Sequence, residues 1–175
     1  MIDADEQPTS ELKLSIQKVI QENNQQQVYA LPRLSWVFGR FIRHSGWYPD
    51  YVVRLYPRLK AQYGDDMVHE KLHYPEEMQL VKLKGDLLHY TYRDLEHYLI
   101  KSAGYAAAWA EQRQARGKRG SLLQGGLHGI ACFLRMYVFR LGFLDGAQGL
   151  LLAILSAHST YVKYADLWVK QQPKP

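Results

Sequence analysis

At 175 residues, 47% hydrophobic and 22% charged, the chain is long enough to bury a substantial core, and its composition excludes intrinsic disorder. Its one cysteine, Cys132, excludes an intrachain disulfide framework, fits a reducing compartment and, inside an apolar run, reads as a small core residue. The net charge of +5 is uneven: residues 1–27 carry −3, whereas residues 101–140 carry +6, with Glu111 the one acid among seven lysines and arginines.

The first expected element is a strand end, Met1-Ile2-Asp3-Ala4-Asp5-Glu6. On an extended segment residues i and i+2 point the same way, so Asp3 and Asp5 would converge on one cation, and hard carboxylate oxygens suit Mg²⁺ or Mn²⁺. The acidic N-terminus has no apolar signal-peptide core. A helix follows: Thr9 or Ser10 can cap it, and Leu12, Ile16, Val19 and Ile20 make an apolar stripe at helical spacing. The polar run Glu22 to Gln27 reads as a loop. Residues 28–92 then read as strands and loops, with strands at Val28–Leu31, Ser35–Phe38, Tyr51–Tyr56, Val81–Leu83 and Leu87–Tyr90, punctuated by Pro32, Gly46, Pro49, Pro57 and Gly64.

Residues 94–170 read as helical. Asp94 caps a segment running to about Arg116, Gly117-Lys118-Arg119-Gly120 breaks it, and two apolar helices follow over about Gly126–Leu141 and Gly146–Val169, joined by a turn at residues 142–146. Arg135 and Arg140 interrupt the first of these, and Ser156 and His158 the second. Both therefore read as core or interfacial helices, a bilayer span needing about 20 mostly apolar residues. The fold class expected is α/β, or α+β for this stretch of chain. Residues 1–92 would form one region and residues 93–175 a helical, basic, membrane-associated one. The basic excess beside apolar helices points to an anionic surface as partner. It does not point to nucleic acid, because the cluster lacks a recognition motif and its neighbours are helices, not a stacking sheet.

Further candidates for chemistry lie in the strand-rich half. His69 and Glu70 follow the loop at residues 63–66, and a carboxylate there can act as general base. His89, at a strand end, offers an imidazole as a third metal ligand. Asp50 closes the Gly46-Trp47-Tyr48-Pro49-Asp50 loop, where Trp47 and Tyr48 present faces for sugar stacking or for packing under the loop. Arg54, alternating with Val53 and Leu55, would contact phosphate or pair with Asp50. Lys101 and Tyr105 stand one helical turn apart.

Taken in order, Ile2-Asp3-Ala4-Asp5-Glu6, Gly46-Trp47-Tyr48-Pro49-Asp50, Val53-Arg54-Leu55-Tyr56, Val68-His69-Glu70, His89-Tyr90 and Gly142-Phe143-Leu144-Asp145-Gly146 resemble the C-terminal portion of family 2 glycosyltransferases. The subgroup that the chain looks most like is the bacterial lipopolysaccharide core β-glycosyltransferases. The resemblance implies part of a GT-A, Rossmann-like sheet that begins at the Asp-x-Asp motif, without the nucleotide-binding half that precedes it in the family. It implies Asp3 and Asp5, with His89, as ligands of a divalent metal under the diphosphate of a nucleotide-sugar donor. It implies Glu70 as the base that deprotonates an acceptor hydroxyl with inversion, with Asp50 and His69 as the other choices. Trp47, Tyr48, Arg54, Lys101 and Tyr105 would bind substrate. The acceptor would be a lipopolysaccharide core or another lipid-linked glycan at the cytoplasmic face of the bacterial inner membrane, and a separate N-terminal half is an expected partner. The alternative expectation is a non-catalytic remnant or a membrane-surface binding module.

Overall fold

The computed structural model describes residues 2–63 and 72–173. It is a mixed α+β structure with four α-helices among these residues. The chain forms two compact units: one made of residues 1–35 and 48–90, the other of residues 36–47 and 91–175.

In the first unit the elements are β1 (Glu6–Pro8), α1 (Ser10–Glu22), most of β2 (Gln27–Val37), β4 (Asp50–Leu55), β5 (Gln62–Tyr63), β6 (Leu72–His73), β7 (Gln79–Lys82) and the first part of β8 (Leu87–Tyr92). β8 lies between β1 and β2, and β4 and β7 also pair with β2. The β2–β7 pair is parallel, whereas β1–β8 and β2–β4 are antiparallel, so the sheet is mixed. β5 and β6 form a separate two-stranded ribbon.

α1 is capped as its sequence predicts, the Thr9 hydroxyl accepting from the Leu12 N–H at 3.3 Å. The same hydroxyl accepts from the Asp86 N–H at 3.0 Å, which ties the helix start to the turn before β8. Leu12, Tyr29, Leu31, Leu83 and Leu87 make the core beneath α1, joined by Ile16 and Val19 from the predicted stripe. Gly85 lets that turn approach: its φ is +88°, and a Cβ there would stand 2.3 Å from the Leu12 nitrogen.

Two expectations change here. Residues 28–31 and 35–38 are not two strands; β2 runs unbroken from Gln27 to Val37, because the locked φ of Pro32 fits extended backbone. Nor do Asp3, Ala4 and Asp5 lie on a strand. They form a turn closed by the Glu6 N–H donating to the Asp3 carbonyl at 3.0 Å, and β1 starts only at Glu6.

In the second unit the end of β2 pairs with β3 (Arg40–Phe41), Trp36 facing Phe41 and Val37 facing Arg40. The rest is helical: α2 (Leu95–Ala115), α3 (Leu122–Leu134), a π-helical segment Arg135–Phe139, a 3₁₀ turn Gly142–Asp145, and α4 (Gly146–Val169). Asp94 caps α2 through the His97 N–H at 2.7 Å. α3 begins four residues before the expected Gly126, because Ser121 caps it through the Gln124 N–H at 3.2 Å. α3 packs along α4 on small residues: a Cβ at Gly125 would fall 2.8 Å from the Tyr164 Cβ, and one at Gly129 would fall 3.1 Å from the Ala157 carbonyl oxygen. The core of this unit gathers Val37, Ile42, Met136, Leu152 and Ala153, with Cys132 packed against it.

The turn at residues 142–146 is more than a connection. The Asp145 carboxylate, 1% exposed, accepts from the backbone N–H groups of Arg43 at 3.2 Å and His44 at 2.8 Å, and lies 3.0 Å from His44 Nδ1. It pins the segment after β3 from a hundred residues away in sequence.

Candidate functional site

In the first unit, the turn before β1 meets the middle of β2, β4 and β8. Glu6 stands opposite His89 across the β1–β8 pair, and Arg33 stands opposite Asp50 across β2–β4. The Glu6 side chain is fully enclosed, with Oε1 3.0 Å from the Arg54 guanidinium and 3.8 Å from that of Arg33. A buried carboxylate is tolerable only when matched in this way by charge and hydrogen bonds. Oε2 of Glu6 also accepts the Asp3 N–H at 3.1 Å, so the same side chain shapes the Asp3–Glu6 turn.

Each arginine meets a second, half-exposed acid. Arg54 donates to the Asp3 carboxylate, which is 47% exposed. Arg33 donates from Nε at 3.0 Å and from a terminal nitrogen at 2.6 Å to one oxygen of Asp50. Arg54 therefore contacts Asp3 and Glu6, and the guanidinium bonded to Asp50, expected to be that of Arg54, is that of Arg33.

Asp5 Oδ2 lies 3.3 Å from His89 Nε2, and the Asp5 carbonyl accepts the Tyr90 N–H at 2.9 Å. Burial, aided by the Arg33 charge, lowers the His89 pKa below its ordinary value, against the opposing pull of Asp5 and Glu6. His89 is thus neutral near neutral pH, and it donates a hydrogen bond from Nε2 to Asp5 without contributing a full charge.

Of the expected metal ligands, Asp5 and His89 are brought together, while Asp3 turns to Arg54. Among the described residues no three His, Cys, Asp or Glu side chains gather as a ready-made cage. The turn does offer two half-exposed hard carboxylates, the partial donor set that Mg²⁺ accepts when phosphate oxygens and water complete its shell.

The remaining candidates fall as follows. The Tyr48 hydroxyl donates to Asp86 at 2.7 Å within the first unit. His69 and Glu70 lie outside the described residues. Trp47, Lys101 and Tyr105 belong to the second unit. There Trp47 packs against the core with its ring 6.4 Å from that of Tyr92. Lys101 Nζ lies 5.8 Å from the Tyr92 ring centre, and Tyr105 is exposed. Burial raises the Tyr92 pKa to about 12, so its ring serves packing and its hydroxyl stays protonated.

Sequence reasoning missed Arg33 and the part played by Glu6. The available signal was an arginine set between Pro32 and Leu34 in an otherwise apolar strand, and a third acid directly after Asp-x-Asp.

The chain is similar to an uncharacterized glycosyltransferase of Rickettsia prowazekii (strain Madrid E), with 24% identity over 98% of this chain. It spans 63% of the length of that relative. No protein-family profile matches the chain. No solved structure matches it either.

Proposed function

We propose that the chain is the acceptor-side part of a metal-dependent, inverting glycosyltransferase of the family 2, GT-A type, which moves a sugar from a nucleotide-sugar donor to a lipid-linked glycan such as a lipopolysaccharide core. What carries the reading is the setting of two half-exposed carboxylates, Asp3 on Arg54 and Asp5 on His89, beside a buried Glu6 that holds Arg54 and Arg33. The likeness along nearly the whole chain to a protein named as a glycosyltransferase supports the coarser part, a glycosyltransferase-like role.

Asp3 and Asp5 would hold a Mg²⁺ or Mn²⁺ ion, which when bound supplies charge neutralisation to the departing diphosphate. Arg54, held by Glu6, would contact a donor phosphate when the Asp3 carboxylate serves the cation. His89, neutral, steadies Asp5 through its Nε2–H. Glu70 would take the proton of the acceptor hydroxyl, with Asp50 and His69 as the alternatives. Trp47, Lys101 and Tyr105 stay outside this assignment. The reaction would run at the cytoplasmic face of a bacterial inner membrane.

The test is titration of a uridine diphosphate sugar into the protein by calorimetry, with Mn²⁺ and with chelator. Metal-dependent binding that Asp3→Ala or Asp5→Ala weakens by about a hundredfold is the expected result. Binding indifferent to both metal and Asp3 overturns the metal assignment, and no binding at all favours the non-catalytic surface module. With transfer measurable, Glu70→Gln lowers turnover and spares donor binding.

A further inference from the structure

The second unit holds thirteen lysines and arginines against five acids, a net charge of +8, while the first unit is net −3. The large exposed apolar side chains are concentrated in the same unit. Along α3 they form one continuous line: Leu123 (76% exposed), Leu127 (60%), Ile130 (60%) and Leu134 (43%), extended through the π segment by Val138 and Phe139 (76%). Steps of four, three, four and four residues keep Leu123 to Val138 on one side of the helix, and Phe139 directly follows Val138. The opposite side is spent on α4, against which Gly125 and Gly129 are buried. Ile130 and Leu134 lead into a groove of about 430 Å³, lined almost wholly by carbon, that Ile154 and Tyr161 of α4 complete. Arg135 and Arg140 are exposed at the end of the line.

We infer that this face of α3 and its π segment docks in the plane of an anionic lipid bilayer, with Leu123, Leu127, Ile130, Leu134 and Phe139 entering the acyl boundary and Arg135 and Arg140 reaching lipid phosphates. A contiguous apolar patch rimmed by cations is what such an interface requires. The arginine stems lie along apolar surface while their heads stay at the phosphate level. Charge decides the occupant: a second copy would set +8 against +8, whereas anionic lipid neutralises it. The segment Leu122–Phe139 is long and apolar enough to cross a membrane by length and composition, with a mean hydropathy of 1.2 and 17% of it buried. Its contact with α4 along Gly125 and Gly129, and Arg135 inside the window, hold it parallel to the surface.

The inference deepens the reading above, since it says where a lipid-borne acceptor would be met, and it rests on that reading only for this purpose. Flotation of the full chain with phosphatidylethanolamine–phosphatidylglycerol vesicles contains neither donor nor acceptor, so its failure is distinct from failure to bind a nucleotide sugar. The chain floats with these vesicles and not with phosphatidylcholine alone. Leu127→Ser with Phe139→Ser lowers the vesicle partition by about tenfold, as does Arg135→Glu with Arg140→Glu at low salt. These side chains are exposed, and an unchanged circular dichroism spectrum verifies that the variants fold. Absence of vesicle binding, equal binding by wild type and the apolar double variant, or a concentration-dependent dimer that the same variant dissolves each overturns the proposal.

Discussion

The two units solve opposite problems with charge. In the first, acids outnumber bases, yet the buried charge is matched side chain to side chain: Glu6 to Arg33 and Arg54, and these in turn to Asp50 and Asp3. In the second, bases exceed acids by eight. One buried acid there, Asp145, answers backbone N–H groups and an imidazole. Matched charge at depth fixes geometry, as a site for an anionic ligand needs. Unmatched charge at a surface leaves the protein dependent on something else to neutralise it. On the proposals above, the first unit would carry the chemistry and the second the attachment.

The largest effect that would break this contrast is loss of the acid at the centre of the first network. Glu6→Ala leaves two guanidiniums without their buried partner and is expected to cost about 3–5 kcal/mol, read from urea unfolding. A loss well under 1 kcal/mol would mean that the network is not held together by Glu6. Vesicle binding by the folded fraction should not change.

Asp145→Ala probes the corresponding buried acid of the second unit. It strips the acceptor from the Arg43 and His44 N–H groups and is expected to cost about 2–3 kcal/mol, with faster hydrogen exchange at those two amides. Exchange that stays slow would assign their protection to other partners.

The smallest effect concerns pH. The folded pKa of His89 is lowered, so its contribution to stability is complete above the unfolded value of about 6.5 and is lost as pH falls through the folded value. Thermal midpoints should therefore fall on mild acidification, and His89→Gln should flatten that slope. A slope identical in the variant would place the titrating group elsewhere.

Helices were the most legible part of the sequence. α2 and α4 begin and end close to where their caps and breakers place them, and Thr9 and Asp94 cap as their residue types predict. These are local rules, and tertiary packing had nothing to override. The errors came where distant residues decide. The Asp3–Glu6 turn exists because the Glu6 carboxylate takes the Asp3 N–H while held by arginines from β2 and β4, and no window around residue 3 contains those arginines. Pro32 looked like a breaker, yet its φ suits the extended strand in which it lies. In the candidate site, Asp5 and His89 were foreseeable as neighbours by type, but the enclosure of Glu6 and its link to Arg33 depend on strand register, which composition does not carry.

The closeness of α3 to α4 has a consequence for where bulk can go. Glycines at positions 125 and 129 bring two backbones together with almost nothing between them. A seam that narrow consumes the smallest residues of α3, and its leucines and isoleucine are left on the outside. α4, by contrast, keeps Leu152, Ala153 and Leu167 buried. Widening the seam with alanine at either glycine should loosen the pair and, by letting large side chains fold inward, make the molecule less greasy.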